Sequence, residues 1–159
     1  MERGLELVIA RRNRRALLQR GGVELYPESY RAILMLHCLF FLALLLESHP
    51  WRIPLDGLTL FCLISLALLQ ILRYACIHSL GPFWNTRILV LPGAPRVRRG
   101  PYRFLKHPNY LVVVLEFALI PLLMRAPLTL VAFSLANLII LQRRIRLEER
   151  ALASAKTGK

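Results

Sequence analysis

Four apolar blocks, set between basic segments of alternating weight, constrain this chain more than any other feature. The blocks run from Ala32 to Leu46, Gly57 to Leu72, Tyr110 to Met124 and Ala126 to Leu141. Each holds 15 or 16 residues, short of the roughly 20 that an α-helix needs to cross a hydrocarbon core of about 30 Å. Tyr30, Arg31, Trp51, Arg52 and Arg73 flank the blocks, and such aromatic and basic side chains extend a short span by reaching the interface. The segments outside the blocks carry 7, 1, 7, 1 and 6 Lys+Arg in chain order. Cytoplasmic loops collect Lys and Arg, so both termini and the central loop are expected in the cytoplasm. A hydrophobic share of 56% with a net charge of +13 excludes a disordered basic arm. It also leaves too little polar surface to wrap a soluble bundle. The positive residues are divided among segments flanking the blocks, so no nucleic-acid partner is expected.

Blocks three and four are separated only by Arg125, with Pro121 and Pro127 on either side. A single kinked helix there would place a strongly basic segment outside, whereas a tight hairpin keeps the alternation. The expected fold is all-α: a polytopic integral membrane helical bundle of about four transmembrane helices, with a C-terminal helical hairpin and a cytoplasmic pocket. The chain reads as a single domain of residues 1–159. Within it, 1–30 is an interfacial basic segment, 31–77 the first two spans, 78–109 a cytoplasmic loop, 110–141 the hairpin and 142–159 a cytoplasmic tail. Residues Leu5 to Leu18 read as an interfacial amphipathic helix ended by Gly21-Gly22. In the central loop, Arg87 to Leu91 read as a short extended segment. A loop of about 30 residues in so small a chain needs a function. Cys38, Cys62 and Cys76 lie in or beside apolar blocks without paired spacing, and read as small apolar residues.

Three polar features converge on one side of the expected membrane. The first is Arg103 with Lys106-His107-Pro108-Asn109-Tyr110, just before block three. The second is Glu116 within that block. The third is Arg144, Arg146 and Glu148-Glu149 after block four. A hairpin brings the first and third together. Each residue also has a plainer reading: His107 as a loop end, Tyr110 as an aromatic-belt anchor, and Glu148-Glu149 as a self-paired helix face. Glu116 is harder to dismiss, because an ionisable residue inside a span is expensive and marks a functional site by default. His37 in block one and Asn137 in block four are weaker forms of that signal, and either also suits an interhelical hydrogen bond.

The order Gly100-Pro101-Tyr102-Arg103, Lys106-His107-Pro108-Asn109-Tyr110, an apolar hairpin, then Glu148-Glu149 resembles the isoprenylcysteine carboxyl methyltransferase family. Leu72-Arg73-Tyr74, Ser79 to Thr86, Leu91-Pro92-Gly93 and Glu6 to Asn13 are similar to its small bacterial branch. The resemblance implies an integral membrane enzyme of the S-adenosylmethionine-dependent methyltransferase class. His107, Pro108, Tyr110, Arg144, Glu148 and Glu149 would hold the cofactor. His107 would serve as base for a hydroxyl acceptor, with Arg103 and Arg146 for an acceptor oxyanion or the cofactor carboxylate. Glu116, Asn137 and His37 would line the substrate groove. The acceptor expected is an amphiphilic small molecule or lipid bearing a carboxylate or hydroxyl: prenylcysteine-like, or alkylpyrone- or alkylresorcinol-like. Membrane lipids are the other expected partners, and no metal is expected. The expected location is a bacterial plasma membrane, with the active site facing the cytoplasm.

The chain departs from the family pattern at Lys106, where an arginine is usual, and at Leu111-Val112, where a glycine is common. In the bacterial branch an apolar helix usually precedes the Glu6 to Asn13 stretch, and its addition would give five spans with the N-terminus outside. Two other functions fit the same sequence: a nicotinamide-dependent membrane reductase of related fold, and a non-enzymatic scaffold whose basic loops bind anionic lipid.

Overall fold

The structure is a computed structural model that describes residues 2–157, with side chains for residues 4 and 6–155. Met1, Gly158 and Lys159, at the ends of the basic segment and the tail, lie outside the described residues. Five α-helices account for most of the chain: α1 Glu2–Gln19, α2 Pro27–Glu47, α3 Gly57–Leu80, α4 Pro108–Leu123 and α5 Pro127–Thr157. Two short strands, β1 Val23–Glu24 and β2 Leu89–Val90, pair antiparallel, with Val23 opposite Val90 and Glu24 opposite Leu89. An all-α membrane bundle is the architecture. Helices α2, α3 and α5 are long and apolar enough to cross a membrane; α4, with 16 residues, is apolar but shorter.

Local chemistry starts and stops each helix. Prolines 27, 108 and 127 open α2, α4 and α5, where a missing N–H costs nothing and φ is already helical. Asp56 caps α3 by accepting the Thr59 N–H at 2.8 Å, which satisfies one orphan donor of the first turn. The cap of α5 comes from another helix. The Glu47 carboxylate, at the end of α2, accepts the N–H groups of Leu128 and Thr129 at 2.8 and 2.7 Å. Blocks three and four do form a hairpin. The chain turns through Met124 to Ala126, with Arg125 in the left-handed region at φ 56° and paired to Asp56.

The hairpin packs against α2 through Leu36, Phe40 and Leu44, which meet Val113, Phe117, Ala126 and Leu141. Phe40 and Phe117 stack with ring centroids 4.3 Å apart. Outward faces carry exposed Met35, Leu46, Phe61, Ile71, Val131 and Ile139, as expected where the solvent is lipid. Helix α1 is more than a surface strip. Its Ala10 packs with Cys76 and Trp84, and Asn13 Nδ2 donates to the Gly81 and Trp84 carbonyls, both at 2.9 Å. Glu24 accepts from Arg14 at 2.7 Å and from Arg87 at 2.5 Å, which fixes β1 and β2 together. Burial pushes the Glu24 carboxyl up, but these two guanidinium groups more than offset it and hold it below its ordinary range.

Charge at membrane depth ties three helices. Arg73, expected from its position to reach toward the interface, is instead 1% exposed. Its Nη2 donates to Glu116 at 2.5 Å, and its Nη1 lies 3.6 Å from Glu6 on α1. Gln70 Nε2 donates to the other Glu116 oxygen at 3.2 Å. A buried charge is tolerated only when paired and hydrogen-bonded. Arg73→Ala is therefore expected to lower the unfolding free energy in detergent by about 3–5 kcal/mol, since two buried carboxylates lose their countercharge. The triple variant Arg73→Met with Glu116→Leu and Glu6→Leu, which leaves neither carboxylate without its countercharge, should recover most of that loss.

Candidate functional site

The polar end of the hairpin assembles from both of its strands of sequence. His107 precedes the helix-opening Pro108, and Tyr110 follows on the first turn of α4, so the two rings stack at 5.4 Å. Helix α5 runs antiparallel to α4, and its length decides what faces them. At 31 residues it is about 46 Å long, longer than a hydrocarbon core, and its apolar part ends at Leu141. The polar continuation from Gln142 emerges beside His107 and Tyr110.

The contacts there are short and charge-assisted. His107 Nε2 lies 2.7 Å from Glu149 Oε1, and its Nδ1 lies 3.8 Å from Glu148 Oε2. The Tyr110 hydroxyl donates to Glu148 at 2.5 Å and accepts from Arg144 Nε at 3.0 Å. Arg144, 5% exposed, also donates to the Thr86 carbonyl at 2.5 Å and reaches Ser29 Oγ at 3.4 Å. It thereby binds α5 to the central loop and to the start of α2. Arg96, from the proline-rich loop, grips Glu149 with both ends of its guanidinium at 2.7 and 3.2 Å, the bidentate geometry that fixes a carboxylate most firmly.

These groups stand on the wall of a cavity of about 540 Å³. The cavity reaches from Glu148 and Glu149 past Tyr102 and Trp84 to Glu6 and Arg73, and along α2 from Tyr30 to Phe41. Among the described residues, four buried polar atoms of the wall have no protein partner: Arg73 Nε, Trp84 Nε1 and Asn85 Nδ2, all donors, and Asn109 Oδ1, an acceptor. Burial pushes the Tyr102 phenol far up, so it stays protonated on this wall.

His107, Tyr110, Arg144, Glu148, Glu149 and His37 all line this cavity. Pro108 is buried under it as the opening residue of α4. Other residues expected at the site lie elsewhere. Arg103 is exposed, with its guanidinium over the Phe104 ring. The Arg146 guanidinium folds back onto the Gln142 carbonyl of its own helix. Glu116 faces Arg73 inside the bundle rather than the groove. Asn137 is buried, with both side-chain polar atoms lacking a partner. Both arginines sit near the expected residues in sequence, but Arg146 is turned away by the phase of α5, and Arg103 is exposed at the end of the short turn from Gly100. Arg96 escaped notice because nothing local in a Pro-Gly-Ala-Pro-Arg stretch says which distant acid it will meet. Arg73 escaped because its position at the end of a block mimics an interfacial residue.

The fold and site together define a multi-pass helical membrane protein with a preformed charged pocket at one end of its bundle. By sequence the chain belongs to the isoprenylcysteine carboxyl methyltransferase (ICMT) family, which it matches over residues 60–154. That is a methyltransferase family, and the matched region contains both halves of the charged pocket. The chain is 41% identical over 152 residues to the uncharacterized protein YpbQ of Bacillus subtilis (strain 168), covering 96% of this chain and 90% of the relative. It is 24% identical over 148 residues to an uncharacterized protein of Haemophilus influenzae (strain ATCC 51907 / DSM 11121 / KW20 / Rd), covering 92% and 86%. No solved structure matches it.

The Arg96 guanidinium, opposed by partial burial and helped by His107, holds the Glu149 carboxyl down at about 2, against an ordinary 4.5. A depressed acid stabilises the folded state above its unfolded value, and the contribution is lost as pH falls through the folded one. Carboxyl NMR in micelles should therefore find Glu149 ionised down to about pH 2. The associated stability should be constant above about pH 4.5 and decline below it. Arg96→Ala should move the titration upward, by an amount reduced by solvent screening.

Proposed function

We propose that this chain is an S-adenosylmethionine-dependent O-methyltransferase acting on an amphiphilic acceptor. The observation that carries the reading is one cavity joining two unlike environments. At one end stand His107, Tyr110, Arg144 and the acidic pair; along α2 the wall becomes Ile33, Leu34 and Phe41, of which Leu34 and Phe41 are also open to the lipid side. The charged end suits a zwitterionic, hydroxyl-rich ligand. Glu148 and Glu149 accept hydrogen bonds from ribose hydroxyls or an ammonium group, and cationic groups nearby meet a carboxylate. The unpartnered Trp84, Asn85 and Asn109 atoms offer two donors and an acceptor to a heteroaromatic ring or its substituents. When bound, S-adenosylmethionine supplies a methyl group activated by a positively charged sulfur.

The protein's own contribution is alignment and exclusion of water. Tyr110 and His107 are locked before any ligand arrives, so little is lost in ordering them. Holding two reactants in line contributes about 7–11 kcal/mol. A carboxylate acceptor needs no base, whereas a phenol or enol must lose a proton. The apolar wall along α2 fits an acceptor with a long alkyl or prenyl tail that reaches the pocket from the bilayer. The Lys and Arg distribution supports a cytoplasm-facing pocket in a bacterial plasma membrane.

The test is to incubate purified membranes with methyl-labelled S-adenosylmethionine and a prenylcysteine, an alkylresorcinol, an alkylpyrone or phosphatidylethanolamine. Label is expected in an O-methylated amphiphile, and its absence from all of them would overturn the reading. His107→Ala and Glu149→Ala should each weaken S-adenosylhomocysteine binding about 10- to 100-fold, the worth of a charge-assisted hydrogen bond of about 1.5–3 kcal/mol. Both variants should keep a cooperative unfolding transition.

A further inference from the structure

Helix α1 has two faces, set by its period. Glu6, Ala10, Asn13 and Leu17 recur every three or four residues, which keeps them on one side of a helix. They point into the protein: Glu6 toward Arg73, Ala10 against Cys76 and Trp84, Asn13 onto the Gly81 and Trp84 carbonyls. Val8, Arg11, Arg12, Arg15 and Gln19 fall on the opposite side and are exposed. With Ala16 they line one groove on the helix surface. Arg14 is turned aside to Glu24. Arg11, Arg12 and Arg15 have no carboxylate partner among the described residues.

The inner contacts fix the depth of the outer face. Glu6, Ala10 and Asn13 meet Arg73, Cys76 and Gly81 in the same order, so α1 runs alongside α3 in the same direction. From Glu6 to Asn13 is about 10 Å of helix, and from Arg73 to Gly81 about 12 Å. Helix α3 has 24 residues and is about 36 Å long, a little more than a hydrocarbon core of about 30 Å. Its end at Leu80 stands at the edge of the headgroup layer, and Arg11 to Arg15 stand there with it. Val8, 61% exposed, lies on the bilayer side of these arginines. Guanidinium groups above an exposed apolar side chain match a phosphate carried on an acyl chain. The Lys and Arg distribution favours the cytoplasmic side for this end of the bundle, and that leaflet carries anionic lipid.

We propose that Arg11, Arg12 and Arg15 hold the phosphate of an anionic phospholipid from the surrounding leaflet. The assignment does not depend on the methyltransferase reading. Its consequence reaches the cavity all the same. Helix α1 supplies Glu6 and Leu7 to the cavity wall, and its Asn13 holds the turn bearing Trp84. A lipid on the outer face secures α1 against α3, so leaflet composition sets how firmly that wall is seated. Inorganic phosphate has the charge but no chain to lie beside Val8. A zwitterionic lipid has the chain but brings its own cation toward the arginines.

The test uses the full chain in nanodiscs of phosphatidylcholine, with or without added phosphatidylglycerol. Native mass spectrometry should find phosphatidylglycerol retained over phosphatidylcholine by about tenfold. Hydrogen exchange of the α1 amides should slow when phosphatidylglycerol is present. Arg11→Gln with Arg12→Gln and Arg15→Gln should abolish both effects, since glutamine keeps the helix propensity of arginine but not its charge. In phosphatidylcholine alone this variant should exchange like the wild type, which shows that α1 itself is intact. Arg98→Gln with Arg143→Gln and Arg150→Gln removes the same charge from other exposed positions and should leave both effects in place. The inference is overturned if the wild type retains both lipids equally, or if its α1 exchanges at one rate in both nanodiscs. It is also overturned if the two triple variants behave alike, or if inorganic phosphate in phosphatidylcholine nanodiscs protects α1 as well as phosphatidylglycerol does.

Discussion

A guanidinium placed among apolar helices must find carboxylates, and Arg73 finds two, on different helices. Leaving any member of that set unpaired in an apolar interior costs several kcal/mol, so the contact restricts how α1, α3 and α4 pack together. Much of the remaining arrangement follows from it. Helix α1 is drawn in by Glu6, so that Ala10 reaches Cys76 and Trp84, and Asn13 reaches the turn after α3. Once α1 is seated, β1 is held where it pairs with β2. The loop carrying Trp84, Asn85 and Thr86 then becomes a wall of the cavity rather than a free excursion.

Gly100 shows the same dependence at the far end of that loop. Its φ is 56°, and a side chain there would run into Ser79 on α3. Only glycine allows the chain to pass so close in that conformation. Beside it, the Arg99 Nε donates to the Ser79 carbonyl at 2.7 Å. The turn from Gly100 to Arg103 is thereby pressed onto α3, and His107 enters α4 from a fixed direction.

What could be read directly from the sequence was what local pattern encodes. The apolar blocks, the turn at Arg125, the continuation of α5 past Leu141 and the meeting of His107 and Tyr110 with Glu148 and Glu149 all follow from helical period and a short turn. Contacts between residues far apart in sequence were not legible. Arg96 to Glu149, Arg73 to Glu6 and Asn13 to Gly81 join segments whose spacing carries no signal. The length of block three was legible as well: its 15 residues become the 16 of α4, bounded by Pro108 and the turn after Leu123.

Helix α5 has a consequence that concerns depth rather than packing. It is pinned by Glu47 at its first turn and runs without a break to the acidic pair. Its lipid-facing side chains, Val131, Leu135 and Ile139, settle it at one height in the bilayer. Glu149 lies eight residues beyond Leu141, about 12 Å further along the same rod. The helix therefore works as a dipstick: wherever the oily part settles, the acids are carried to the headgroup layer. On the proposed methyltransferase reading, a water-borne cofactor and a membrane-dissolved acceptor meet in that layer without either leaving its own solvent.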